Sequence, residues 1–154
     1  MNVRTQFAWR ILLPVALCSI SCQQNDQPAE ATALLESVQA DNYREWQRAP
    51  GYGARTPTSA PHGDSVEIFV NDVLADALTA QALEEWPVGS IVAKDGYDSD
   101  GALELIALME KRESGWFWAE YDADGEPLYS GEPGICLDCH ASGDDYVRAF
   151  GFAQ

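Results

Sequence analysis

The residues best suited to chemistry lie near the C-terminus, in "GEPGICLDCHASG", Gly131 to Gly143. Cys136 and Cys139 are separated by two residues, and His140 follows at once. Three chemistries use such a spacing. A thioredoxin-like dithiol carries its C-x-x-C near a βαβ pattern, whereas this pair falls near the end of a chain with no such unit around it. A structural zinc site needs four ligands. Beyond the N-terminal region Cys136, Cys139, His140 and His62 are the only Cys or His, and two of these are adjacent. The third chemistry is haem c, in which two thioether bonds hold the porphyrin edge and the next histidine coordinates iron. Two intervening residues bring both sulfurs to neighbouring vinyl groups and set the histidine beneath the metal. The motif therefore predicts one covalent haem c, with Cys136 and Cys139 as its links and His140 as proximal ligand.

The N-terminus names a compartment where such attachment occurs in bacteria. Arg4 and Arg10 flank a short apolar run, "ILLPVALCSI", about half the length of a membrane span. Small residues then lead into Cys22. This is the form of a lipoprotein signal over residues 1–21, with Cys22 lipidated. The expected location is the periplasmic face of a bacterial membrane, and Gln23 favours the outer one. Cys18 leaves with the signal and Cys22 serves the anchor, so no disulfide framework is available to the folded domain.

Removing 21 of 154 residues leaves 133, enough for a single domain. The chain has 25 acidic and 9 basic residues, net −16. The first 22 residues hold two bases and no acids, so the mature net charge is −18. Nucleic acid is excluded as a partner, because phosphate binding needs clustered Lys and Arg. Membrane contact is expected through the lipid anchor only, and a homodimer is compatible with the chain.

The elements that must position the motif follow from periodicity. Residues 22–33 read as a polar tether, and 34–154 as the folded domain. A helix is expected from about Leu34 to Gln47. The Gly- and Pro-rich stretch from Ala49 to Asp64 reads as a long loop. "SVEIFVN" alternates, with Val66, Ile68 and Val70 on one face and Glu67 and Phe69 on the other. A helix capped at Asn71 or Asp72 is expected to run until Pro87. "VGSIVAK", "ALELIALMEK" and "GWFWAEYD" read as strands, and "SGDDYVRAFGF" as a helix capped at Ser142. The acidic turns "DGYDSDG" and "DADG" lack the closing Glu of an EF-hand and read as ordinary turns. The fold class is α+β: an antiparallel sheet with two or three helices and a haem near the C-terminus.

Only 14 residues follow His140, and none is Met or His. A sixth ligand would have to come from His62 or Met109, which read as a turn residue and as core filler. The expected iron site is therefore open, suited to binding or chemistry.

In order, "NYREW", "HGDSVEIFVND", "WPVGSIVAKD", "LMEK", "GWFWAEYDADG" and "CLDCHASGDDYV" span most of the mature chain. Together they resemble the cytochrome P-460 family, which includes cytochrome c prime-beta. The resemblance implies an antiparallel sheet with helices and a pentacoordinate haem. In P-460 proteins it implies a lysine bonded to the porphyrin, and Lys94 falls at the corresponding place. That branch acts on a small nitrogen species such as hydroxylamine and passes electrons to a separate redox protein. The c prime-beta branch, without the cross-link, binds nitric oxide or other gases and is not an enzyme. A simple electron-transfer cytochrome is the third reading. Phe69 is a candidate distal cap over the iron, and Glu67, Asp95 and Glu104 are candidate distal bases.

Overall fold

The computed structural model describes residues 24–153. The expected signal over 1–21 and the lipidation site Cys22 lie outside the described residues. Seven strands form one antiparallel sheet: β1 (Gln47–Arg48), β2 (Thr56–Pro57), β3 (Ser65–Val70), β4 (Ile91–Tyr97), β5 (Leu103–Arg112), β6 (Gly115–Asp122) and β7 (Pro127–Gly131). Their order is β1-β3-β4-β5-β6-β7, with β2 also pairing β3. Three helices accompany it: α1 (Pro28–Ala40), α2 (Asp72–Ala77) and α3 (Gly134–His140). The α+β class follows as expected.

Alternation along the strands gives the sheet two apolar faces. Phe69, Ala93, Ile106, Leu108, Phe117, Ala119 and Tyr121 point to one face, where Ala31, Leu34, Leu35 and Val38 of α1 cover them. The Tyr121 hydroxyl donates to the Ala31 carbonyl at 2.6 Å, tying helix to sheet through a buried polar pair. The other face presents Val66, Ile68, Val70, Val92, Met109, Trp116 and Trp118. It is covered by α2, Trp86, α3 and the C-terminal segment.

Helix α1 starts at Pro28, six residues before the expected Leu34, and stops at Ala40. Pro at the first turn suits a helix start, where its missing N–H is no loss. Asn42, at φ +51°, ends any continuation towards Gln47. The segment expected as a tether is held to the domain from residue 24 onward. Gln24 O accepts from Ser130 N, and Asp26 N donates to Ser130 O. Helix α2 begins as expected. Asn71 Oδ1 accepts from Leu74 N and Ile91 N, while its amide donates to Gly89 O, fastening the helix start to β4. It ends at Ala77 rather than near Pro87, because the chain turns through Ala82 at φ +59° to bring Trp86 into the core.

The acidic turns behave as turns. Asp98 Oδ1 accepts from the amides of Asp100 and Ala102, and Asp122 Oδ1 from those of Asp124 and Glu126.

On the α1 face a polar cluster sits at the end of β3 and β4. Asp95, fully buried, accepts from Tyr43 Oη and Arg44 Nε, each at 2.6 Å. Glu67 accepts from Arg48 at 2.6 Å and from Tyr97 Oη at 2.7 Å. Burial pushes the Glu67 carboxyl up, but the Tyr97 and Arg48 hydrogen bonds outweigh it and hold its pKa below the ordinary 4.5. As pH falls the unfolded chain takes up this proton first. Stability from Glu67 is complete above pH 4.5 and drains away as pH drops below it, through the lower folded-state value. Glu67→Gln is expected to cost roughly 1–2 kcal/mol at neutral pH. That deficit should shrink in urea titrations taken down to about pH 3; a deficit constant over the whole range would contradict the assignment.

Candidate functional site

The site is built from two cross-strand rows on the face opposite α1. One row runs Ile68, Lys94, Ala107, Glu120, Tyr129; the next runs Val70, Val92, Met109, Trp118, Gly131. Lys94 is thus an interior residue of β4, which continues to Tyr97, and not a strand-end residue. Helix α3 lies over this floor. It spans the cysteine-histidine motif itself, and three- and four-residue spacings put Cys136, Cys139 and His140 on one side of it. Between floor and helix opens a cavity of about 250 Å³, lined by Lys94, Met109, Trp118, Glu120, both cysteines and His140. A second cavity of about 200 Å³ adjoins it, and His62, Val92, Lys94, Met109, Cys139 and His140 border both.

His62 enters from the Gly- and Pro-rich loop, which packs closely on β4. Its carbonyl rests on Gly96, where any Cβ would collide with it. Gly63, at φ +97°, lies so close that a Cβ would come within 2.8 Å of the Tyr97 backbone. Asp64 N donates to Tyr97 O at 2.8 Å, completing the clasp. The His62 and Glu120 side chains are both largely buried, and His62 Nδ1 lies 2.9 Å from Glu120 Oε2. That is ion-pair distance, although the ring is turned off the line that a good hydrogen bond requires.

Behind α3 the chain does not form the helix expected over 142–152. Asp145 and Tyr146 adopt φ of +44° and +66°, because this segment spends its polar groups on the rest of the fold. Asp145 accepts from Lys111 Nζ at 2.8 Å and from Trp86 N at 2.8 Å. The carbonyls of Asp144 and Asp145 accept from the indoles of Trp86 and Trp116. One consequence reaches the site: Tyr146 O lies 2.9 Å from His140 Nδ1, which donates to it and leaves Nε2 free for a ligand. The Trp118 ring stands edge-on to the His140 ring at 4.7 Å, and its buried indole N–H has no partner among the described residues.

Burial sets the protonation of these groups. It pushes His140 down to about 4, with Lys94, His62 and Arg148 nearby adding to the effect against the Tyr146 bond. The imidazole is neutral at physiological pH, as a metal ligand must be. Burial pushes the Cys136 thiol up to about 11, aided by Glu120 and Cys139. A dithiol nucleophile needs the opposite shift. Burial also lowers the Lys94 ammonium, with Glu120 and Cys139 working against it and Arg148 adding to it. Lys94 has no hydrogen-bond or ion-pair partner among the described residues, and Glu120 is the nearby acid that favours its charged form. A desolvated, unpaired amine is a competent nucleophile.

The structure therefore brings together Cys136, Cys139, His140 and Lys94, and with them Met109 and His62. It does not bring Phe69. That ring lies in the core on the α1 face, edge-on to Tyr43 and beneath Arg48, so its expected role as distal cap is withdrawn. The candidate distal bases Glu67 and Asp95 belong to the same opposite face, and Glu104 is exposed away from the cavity. The carboxylate that does line the cavity is Glu120. Its signal was present in "GWFWAEYD", where Trp116, Trp118 and Glu120 alternate onto one face.

Among the described residues no three Cys, His, Asp or Glu side chains converge on one ion position. What remains is an apolar floor, two thiols and a neutral imidazole on one wall, and an orphaned indole donor. This set suits a flat, covalently tethered aromatic cofactor with an axial imidazole. No protein-family model matches the chain, and no curated protein is detectably similar to it.

Proposed function

We propose that this chain is a c-type haem protein that carries out redox chemistry on a small nitrogen species such as hydroxylamine. The observation that carries the reading is a single cavity in which both thiols and the Nε2-free His140 on α3 face Lys94 and Glu120 in an otherwise apolar floor. Cys136 and Cys139 would tether the haem edge and His140 would take the proximal position, oriented by Tyr146 O. A bound haem would supply the iron that takes the nitrogen and passes electrons to a separate redox protein.

The chain's own residues supply the rest. Lys94 lies in the cavity floor with its amine desolvated and would be the residue meeting the porphyrin, where the P-460 resemblance implies a cross-link. Glu120 is the carboxylate that lines the cavity, placed to accept the protons that oxidation of an N–H or O–H bond releases. Val92, Ala107 and Met109 keep water from the floor, which strengthens electrostatic interactions inside.

The test uses the full chain matured in a host with haem-attachment machinery and purified in detergent. Catalytic oxidation of hydroxylamine with an added electron acceptor is the expected result. Tight nitric oxide binding with no turnover would move the protein to the gas-binding class.

A further inference from the structure

A second imidazole faces the proximal one. The rings of His62 and His140 have centroids 6.4 Å apart and planes inclined by 82°. Two imidazoles on opposite sides of one metal, each at a bond length of about 2.0–2.1 Å, have ring centres roughly 6–6.5 Å apart. The separation suits an edge-to-face contact and equally falls in the range for a shared metal. Their remaining nitrogens agree. His140 Nδ1 is turned to Tyr146 O at 2.9 Å, and His62 Nδ1 lies 2.9 Å from Glu120 Oε2 without the alignment of a hydrogen bond. Each Nε2 is left without a hydrogen-bond partner among the described residues. An outer partner on one ring nitrogen, leaving the other for metal, is the usual arrangement of a ligating histidine, and a carboxylate is a common choice.

The loop carrying His62 is built to hold it there. Gly63 and Gly96 allow backbone contact that any side chain would block, and Asp64 N closes the clasp on Tyr97 O. A histidine serving only as a turn residue would have no need of a largely buried ring beside a largely buried carboxylate.

We infer that His62 is the second axial ligand of the haem iron in the resting protein, so that a small ligand reaches the iron only when this imidazole lets go. The inference rests on the haem c reading of the site. It would fill the sixth position that the sequence reading leaves open, and it gives Glu120 a second task beside His62.

The experiment compares the haem-matured full chain with His62→Ala by ferric electron paramagnetic resonance and absorption, then by carbon monoxide binding to the ferrous forms. The native protein is expected to be low-spin with two imidazole ligands, and His62→Ala high-spin. Added imidazole should return the variant to low spin, which a merely structural role would not do. In the native protein the observed carbon monoxide rate should level off at high concentration, limited by release of His62. In the variant it should rise linearly, with an apparent affinity at least roughly tenfold higher. A high-spin native protein, or a variant that stays low-spin, overturns the inference and leaves the haem reading standing. Native protein with no covalent haem overturns both.

Discussion

Lys94→Ala should lower hydroxylamine turnover by about 10²-fold or more while one haem stays attached. Lys94 sits mid-strand between Ile68 and Ala107 in the cavity floor, and no acid pairs with its amine. Burial depresses its pKa. A desolvated, unpaired amine adds little to stability, so the alanine variant should fold at least as well as the native chain. The turnover loss would then be read against an intact fold. Lys94→Arg separates two roles: it keeps a cation in the wall but cannot form the same bond to the porphyrin. If the bond matters, arginine is as inactive as alanine, and the native protein is expected to show a red-shifted ferrous Soret band where both variants show an ordinary haem c spectrum. Turnover retained in Lys94→Ala would remove this residue from the chemistry.

Trp86→Ala should destabilise the chain by about 3–5 kcal/mol in urea unfolding. Trp86 is 1% exposed, and its ring packs against Phe150 at 5.6 Å and Phe152 at 4.7 Å between centroids. Its indole N–H donates to Asp144 O, in the strained segment behind the site. Truncation leaves a large cavity and frees that carbonyl. The effect should spread to the site, because the same segment delivers Tyr146 O to His140 Nδ1. Trp86→Phe keeps most of the packing and loses the hydrogen bond, at a cost of roughly 1 kcal/mol. Equal stability of Trp86→Ala and native protein would show that the segment is held by other contacts.

Much of the framework was legible because strands announce their faces. The alternation of Val66, Ile68 and Val70, and the runs over 103–112 and 115–122, led directly to β3, β5 and β6. The cysteine-histidine spacing marked one wall of the cavity for the same reason, since it depends on neighbours in sequence. What sequence could not give was which face of the sheet would meet that wall. Phe69 was correctly placed opposite Val66 and Ile68, but only the covering elements decide that its face belongs to α1. Glu120 was missed for the same cause. The C-terminal helix failed because tertiary hydrogen bonds to Asp144 and Asp145 from Trp86, Lys111 and Trp116 outweigh a helical pattern. His62 read as a turn residue because the loop's path back to Gly96 has no local signature.

The whole reading depends on whether Cys136 and Cys139 hold a haem. The most direct measurement is the intact mass of the full chain after export in a host with haem-attachment machinery, taken under denaturing conditions, beside Cys136→Ala/Cys139→Ala. A native mass one haem above that of the double variant, apart from the two Cys→Ala changes, is expected to survive denaturation. A native chain at its polypeptide mass, with both thiols free, would contradict it.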